Sequence, residues 1–190
     1  PGVALMAADA VVRMTGATAD DLRALNEARS SSRGRRAARW ALSRATPLAE
    51  TALESVSRAT IEWLGFPHPE LQHVFIGPRG EKHRGDMYWQ AERVLGEADG
   101  RTKYDGTHGD GAEALVREKR REDILRRDVD GVARWMWPEV RAFPTLRDVL
   151  RQAGLREIRP PQTGPLHTLR TALTVVRRET SSGARDIDDR

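Results

Sequence analysis

His83-Arg84-Gly85-Asp86-Met87-Tyr88-Trp89 and Arg93-Val94-Leu95-Gly96-Glu97-Ala98-Asp99 read as the two arms of one β-hairpin with three carboxylates, Asp86, Glu97 and Asp99, at one end. If the connection tightens around Ala91 and Glu92, antiparallel pairing sets Asp86 opposite Glu97. The two-residue period of a strand sends Glu97 and Asp99 to the same face. Like charges facing each other across a strand pair destabilise a sheet. Oxygen ligation of a hard divalent ion such as Mg²⁺ relieves that repulsion. Acids are also common beside turns, and solvated side chains near a strand end are the plainer alternative.

Before the hairpin, the apolar spacing of Leu53, Val56, Thr60 and Leu64 predicts a helix from Ala49 to Leu64, stopped by Gly65 and Pro67, with Glu54 beside its apolar stripe. Strands follow at Leu71 to Ile76, Arg84 to Trp89 and Arg93 to Ala98, then a glycine-rich loop from Gly106 to Gly111, a helix from Ala112 to Arg127 and a strand from Gly131 to Trp137. Upstream, Ala4 to Met14 and Thr18 to Ala28 read as helices. Thr18 is placed as an N-cap, with Asp20 and Asp21 favourably near the helix dipole's positive end. A third helix runs from Arg33 to Ala45. Downstream, Pro144 to Ala153 reads as a helix capped by Gly154, Pro160 to Pro165 as linker, Leu166 to Val176 as a short helix and Ser181 to Arg190 as a disordered tail.

A chain of 190 residues holds one full core plus extensions. Its apolar opening Val3-Ala4-Leu5-Met6-Ala7-Ala8 is too short to span a membrane and lacks the basic region of a signal peptide. There is no cysteine, which excludes disulfides and cysteine-ligated zinc, and a cytoplasmic protein is expected. The five histidines show no zinc-ligand spacing. Pro1 opens the chain where a Met would stand, as in an expression product or a truncated gene product. The net charge of +4 is uneven: residues 28 to 49 contain no acid but hold Arg29, Arg33, Arg35, Arg36, Arg39 and Arg44. Arg33, Arg35 and Arg36, near a helix start, suit backbone phosphates, with Lys103 as a further contact. A solvated helix face and an acidic protein partner fit the same charges.

Glu54-Ser55 with Arg58, Gly65-Phe66-Pro67-His68-Pro69-Glu70-Leu71-Gln72 before a strand, Arg84-Gly85-Asp86, Glu97-Ala98-Asp99-Gly100 with Lys103-Tyr104, and Glu118-Lys119-Arg120-Arg121-Glu122 together resemble an endonuclease-like domain of unknown function. That domain is related to the very-short-patch-repair endonucleases of the PD-(D/E)XK superfamily. The resemblance implies an α/β fold with a restriction-endonuclease-like core of helix, three-stranded meander, helix and strand, preceded by a small helical segment. Residues 49–143 would form this domain, 1–48 the helical N-terminal segment, 144–159 a C-terminal helix and 160–190 a linker and flexible tail. It further implies DNA as partner and Mg²⁺-dependent phosphodiester hydrolysis, with Asp86 and Glu97 as metal ligands and Glu54, Asp99 and Lys119 as catalytic candidates. Gln72 would orient groups at the same site.

In larger bacterial proteins such a domain resembles the C-terminal half of AbiEi-type antitoxin or transcriptional-regulator-like proteins, so a protein partner or a missing N-terminal domain is expected alongside DNA. The superfamily pattern places lysine two residues after the glutamate, where this chain has Asp99. Lysine occurs only at 82, 103 and 119, which leaves Lys103 or Lys119 as its substitute. Lys119 equally suits an ion pair with Glu122 or Asp123. The rival reading is a non-catalytic DNA-binding regulator that keeps the fold.

Overall fold

The computed structural model describes residues 1–100 and 127–183, with side chains as far as Thr174. Four helices precede the sheet: α1 (Gly2–Thr15), α2 (Ala19–Ala28), α3 (Arg35–Leu42) and α4 (Ala52–Leu64). α2 starts where Thr18 predicts, in a reciprocal capping box with Asp21. α4 starts at Thr51, whose hydroxyl accepts the Glu54 N–H, and stops at Gly65 with φ 92°. A Cβ at Gly65 would also lie 2.0 Å from the Arg159 carbonyl oxygen, so both conformation and space require glycine.

Strands β1 (Glu70–Ile76), β2 (Lys82–Trp89), β3 (Val94–Ala98) and β4 (Gly131–Trp135) form a four-stranded mixed sheet in the order β1-β2-β3-β4. The first three make an antiparallel meander, and β4 joins β3 in parallel, a step that needs a crossover connection. The chain between, residues 99–130, holds the predicted Ala112 to Arg127 helix and the Gly106 to Gly111 loop, which lie outside the described residues but for Arg127. The α/β class thus holds, with helices α5 (Trp137–Arg141), α6 (Phe143–Gln152) and α7 (Thr163–Gly183) following β4 among the described residues.

One face of the sheet carries the main core, in which Met87, Trp89, Val94, Ala98, Ala133 and Trp135 join Leu53, Val56, Ile61 and Trp63 from α4 and Leu146 and Leu150 from α6. Two indoles are anchored: Trp135 Nε1 donates to Ser57 Oγ at 2.8 Å and Trp89 Nε1 to the Pro67 carbonyl at 2.8 Å. Gly96 lies between them, since a Cβ there would sit 2.8 Å from each ring. The opposite face carries a smaller cluster of Phe75, Tyr88, Leu95 and Val129.

Three segments differ from the sequence reading. Trp137 is not a strand residue, because β4 ends at Trp135 and Pro138 stands in the first turn of α5, where its missing N–H costs nothing. Within the expected linker and tail, α7 begins at Thr163 and runs to Gly183, a longer helix than the predicted Leu166 to Val176, while the rest of the expected tail, 184–190, lies outside the described residues. Leu166 and Leu169 on it are buried, with Leu173 packed against the same core. The third helix is shorter than Arg33 to Ala45, starting only after Gly34, which has φ 73°. No helix among the described residues is long and apolar enough to cross a membrane.

Candidate functional site at the Gln72 to Arg134 rung

The sheet's registers place four polar residues in one transverse row. Leu71↔Met87 and His73↔Gly85 bracket Gln72 against Asp86, one step beyond Met87↔Gly96 sets Asp86 against Glu97, and Glu97 pairs directly with Arg134. The expected juxtaposition of Asp86 and Glu97 is therefore present in the register. What differs is how their charges are met.

β1 and β2 both switch faces at this row. Leu71 packs in the main core and Phe75 in the smaller cluster, although strict alternation would put both on one side. Gln72 lies between them with φ 54°, a left-handed conformation uncommon for a non-glycine residue and enriched at functional sites. β2 shows the same switch: Met87 is in the main core, whereas a Cβ at Gly85 would meet Phe75 and Leu95 of the smaller cluster. At the switch, the Asp86 carboxylate accepts the Ala98 N–H at 3.0 Å. A side chain thus takes the place of a ladder rung.

Glu97, only 7% exposed, accepts from Arg134 Nε at 2.7 Å. The predicted repulsion between facing acids is accordingly corrected, since each carboxylate has a donor within the sheet. Glu54, 5% exposed, reaches the row from the start of α4. Its carboxylate accepts from Thr51 Oγ1 at 2.8 Å, the Glu50 N–H at 2.9 Å and Gln72 Nε2 at 3.1 Å. Arg84 of β2 ties the same segment to the sheet through Glu50, at 2.8 and 2.9 Å. Because the Gln72 amide presents its NH₂ to Glu54, its oxygen is buried with no hydrogen-bond partner among the described residues. Thr51→Ala is expected to lower stability by about 1 kcal/mol through the lost N-cap, read as a reduced urea midpoint at unchanged slope.

The other candidates separate clearly. Asp99 is exposed just past β3, its N–H donating to the Trp135 carbonyl at 2.9 Å. Lys103 and Lys119 lie outside the described residues. In the basic stretch, Arg35 bonds the Arg29 carbonyl at 2.5 Å, Arg39 grips Glu27 at 2.7 and 2.6 Å, and Arg44 grips Glu62 at 2.5 and 2.6 Å. The Arg39 hydrogen bonds hold the Glu27 carboxyl below its usual range. Arg33 and Arg36 are exposed on the surface. Arg134, absent from the expected site, is the residue sequence reasoning missed. The available signal was a lone charge between Ala133 and Trp135 in an otherwise apolar strand.

Among the described residues no group of three or more His, Cys, Asp or Glu side chains is placed to hold a metal ion. The row offers two carboxylates and an amide oxygen, a hard oxygen donor set. Mg²⁺ commonly takes one or two carboxylates and completes its shell with water and substrate phosphate, so these residues fit it. Comparison with family models, curated proteins and solved structures gives no match to this chain.

Proposed function

We propose that this chain is a Mg²⁺-dependent endonuclease-like domain acting on DNA, built on the restriction-endonuclease-like core. The observation that carries the reading is the single row Gln72–Asp86–Glu97–Arg134 with Glu54 joined to it by Gln72. The order of helix, antiparallel meander and parallel fourth strand supports it. Phosphodiester hydrolysis forms a bond from a water oxygen to phosphorus while one ester bond breaks and its sugar oxygen leaves with a proton. A divalent ion bound at such a site polarises the phosphate and lowers the pKa of water. Asp86 and Glu97 would hold it. Glu54 and Gln72 position the carboxylates' surroundings, and Arg134 supplies positive charge. The test is conversion of supercoiled plasmid by the intact chain with Mg²⁺ against the same reaction in EDTA. Cleavage that is equal in both, or absent in both, refutes the assignment.

A second reading, a non-catalytic DNA-binding regulator with a protein partner of its own, is favoured by Asp99 at the lysine position and by the protein donors already bonded to Glu54, Asp86 and Glu97. DNA binding in either reading engages exposed arginines. Arg33→Ala and Arg36→Ala are each expected to reduce the slope of log affinity against log salt by about 1. Arg39→Ala, whose guanidinium is spent on Glu27, should change the slope less, as fluorescence anisotropy over a salt series would show.

A further inference from the structure

We infer that the cavity bounded by α1, α4 and the start of β1 binds a short-chain monocarboxylate, whose headgroup meets the Arg58 guanidinium. The cavity measures about 190 Å³, below the roughly 300–1,000 Å³ of sites for drug-sized ligands. Its occupant is therefore small. Leu5, Pro69 and Leu71 supply apolar lining, and Arg44, Arg58, Glu62 and His68 supply polar lining. Glu54, Asp86, Glu97 and Arg134 take no part in it, so this is a second site, independent of the nuclease reading.

The polar groups are unequally committed. Arg44 closes a fork on the two Glu62 oxygens at 2.5 and 2.6 Å and gives Nη1 to the Trp40 carbonyl and Ser43 Oγ. Arg159 Nη2 stands a further 3.8 Å from Glu62 Oε1, so a cationic ligand would compete with arginine for that carboxylate. Arg58 differs. It gives one N–H to Asp9 and one to the Arg44 carbonyl, whereas an arginine side chain carries five. Three donors thus remain without a protein acceptor among the described residues, on a side chain only 16% exposed that lines the cavity. Water meets such donors when no ligand is bound, and a carboxylate replaces it with paired, charge-assisted hydrogen bonds. The charges agree. Arg44, Arg58 and Arg159 outnumber the carboxylates they meet, Asp9 and Glu62, by one, which suits a monoanion. A short alkyl body suits the apolar lining, which a bare inorganic anion would leave unused.

The experiment titrates the intact chain with sodium butyrate at constant ionic strength and follows the histidine ring resonances by NMR, with His68 assigned through His68→Gln. Butylamine and inorganic phosphate are the comparison ligands. Butyrate is expected to shift the His68 resonance saturably, with Kd on the order of 1 mM, the range open to so few atoms. Butylamine should produce no saturable shift. Arg58→Lys keeps a charge toward Asp9 but loses the guanidinium edge, and Leu71→Phe narrows the apolar side. Each should weaken butyrate about tenfold, after circular dichroism has shown a wild-type fold. A shift that stays linear with butyrate at about 100 times that Kd would overturn the site. Equal binding of butylamine, or unchanged butyrate affinity in a folded Arg58→Lys or Leu71→Phe, would overturn it too. Phosphate binding at least as tight as that of butyrate would overturn the carboxylate assignment, since the apolar lining would then contribute nothing. If neither variant folds, the contrast between butyrate and its comparison ligands on wild type decides alone.

Discussion

Asp86→Asn and Glu97→Gln are each expected to abolish Mg²⁺-dependent plasmid cleavage, with losses on the order of 10³-fold, while leaving the fold intact. The magnitude follows from what a metal ligand contributes: several kcal/mol of charge stabilisation in the transition state, each 1.36 kcal/mol being tenfold in rate. The choice of amides matters. Asparagine keeps an oxygen to accept the Ala98 N–H, as the Asp86 carboxylate does at 3.0 Å, and glutamine keeps one for Arg134 Nε. Stability should therefore change by no more than about 1 kcal/mol, the net worth of an altered hydrogen bond. Asp99→Asn is the internal comparison, since Asp99 is exposed beyond β3 and outside the row. Its cleavage should stay within about tenfold of wild type, a bound of 1.36 kcal/mol. Gel-resolved single-turnover rates with thermal melts on the same samples decide the matter. Full activity in either amide variant would remove the metal-site assignment.

Much of this arrangement is legible in the sequence because local chemistry and global fold agree. Thr18 marks a helix start through a hydroxyl that accepts a backbone N–H, and Gly65 ends α4 where a left-handed residue is required, whereas the start of α4 falls at the Thr51 cap and not at Ala49. The Asp86–Glu97 register follows from where the connection after Trp89 turns back. The face switch at Gln72 and Asp86 leaves no such trace, because a positive φ at glutamine is imposed by tertiary contacts and has no compositional signature. All five residues of β3 are buried, so alternation could not reveal that Glu97 faces away from the main core. Arg134 was hidden for another reason: its partner lies 37 positions earlier, and a parallel pairing cannot be inferred from neighbouring residues. The start of α7 was obscured by Pro160, Pro161 and Pro165, whereas Leu166, Leu169 and Leu173, which turn toward the core at helical spacing, made the helix from Leu166 legible.

Arg58→Met is expected to destabilise the protein by about 3–5 kcal/mol, the usual consequence of removing one member of a buried ion pair. Asp9 of α1 is 0% exposed. One of its oxygens accepts from Arg58 Nη1 at 2.9 Å and the other from the Thr46 N–H at 2.9 Å. Arg58 Nη2 also donates to the Arg44 carbonyl at 2.8 Å, and Arg44 in turn grips buried Glu62 and lies 4.6 Å over the Trp40 ring. These contacts join α1, the segment after α3 and α4 through two buried carboxylates, Asp9 and Glu62, and the arginines that meet them. With methionine at 58, the Asp9 carboxylate keeps one backbone donor but loses its counter-charge. Typical stabilities of 5–15 kcal/mol make that a large fraction of the whole. Adding Asp9→Leu should return much of the loss, since replacing both members removes the stranded charge. The expected order of urea midpoints is wild type, double variant, Arg58→Met. The same cycle bears on the candidate site, because α4 carries Glu54 to the row and Arg58 lies one turn further along that helix. A single-variant loss below about 1 kcal/mol, the range of an exposed pair, would mean that water reaches Asp9 and that α1 does not hold α4 in place through this pair.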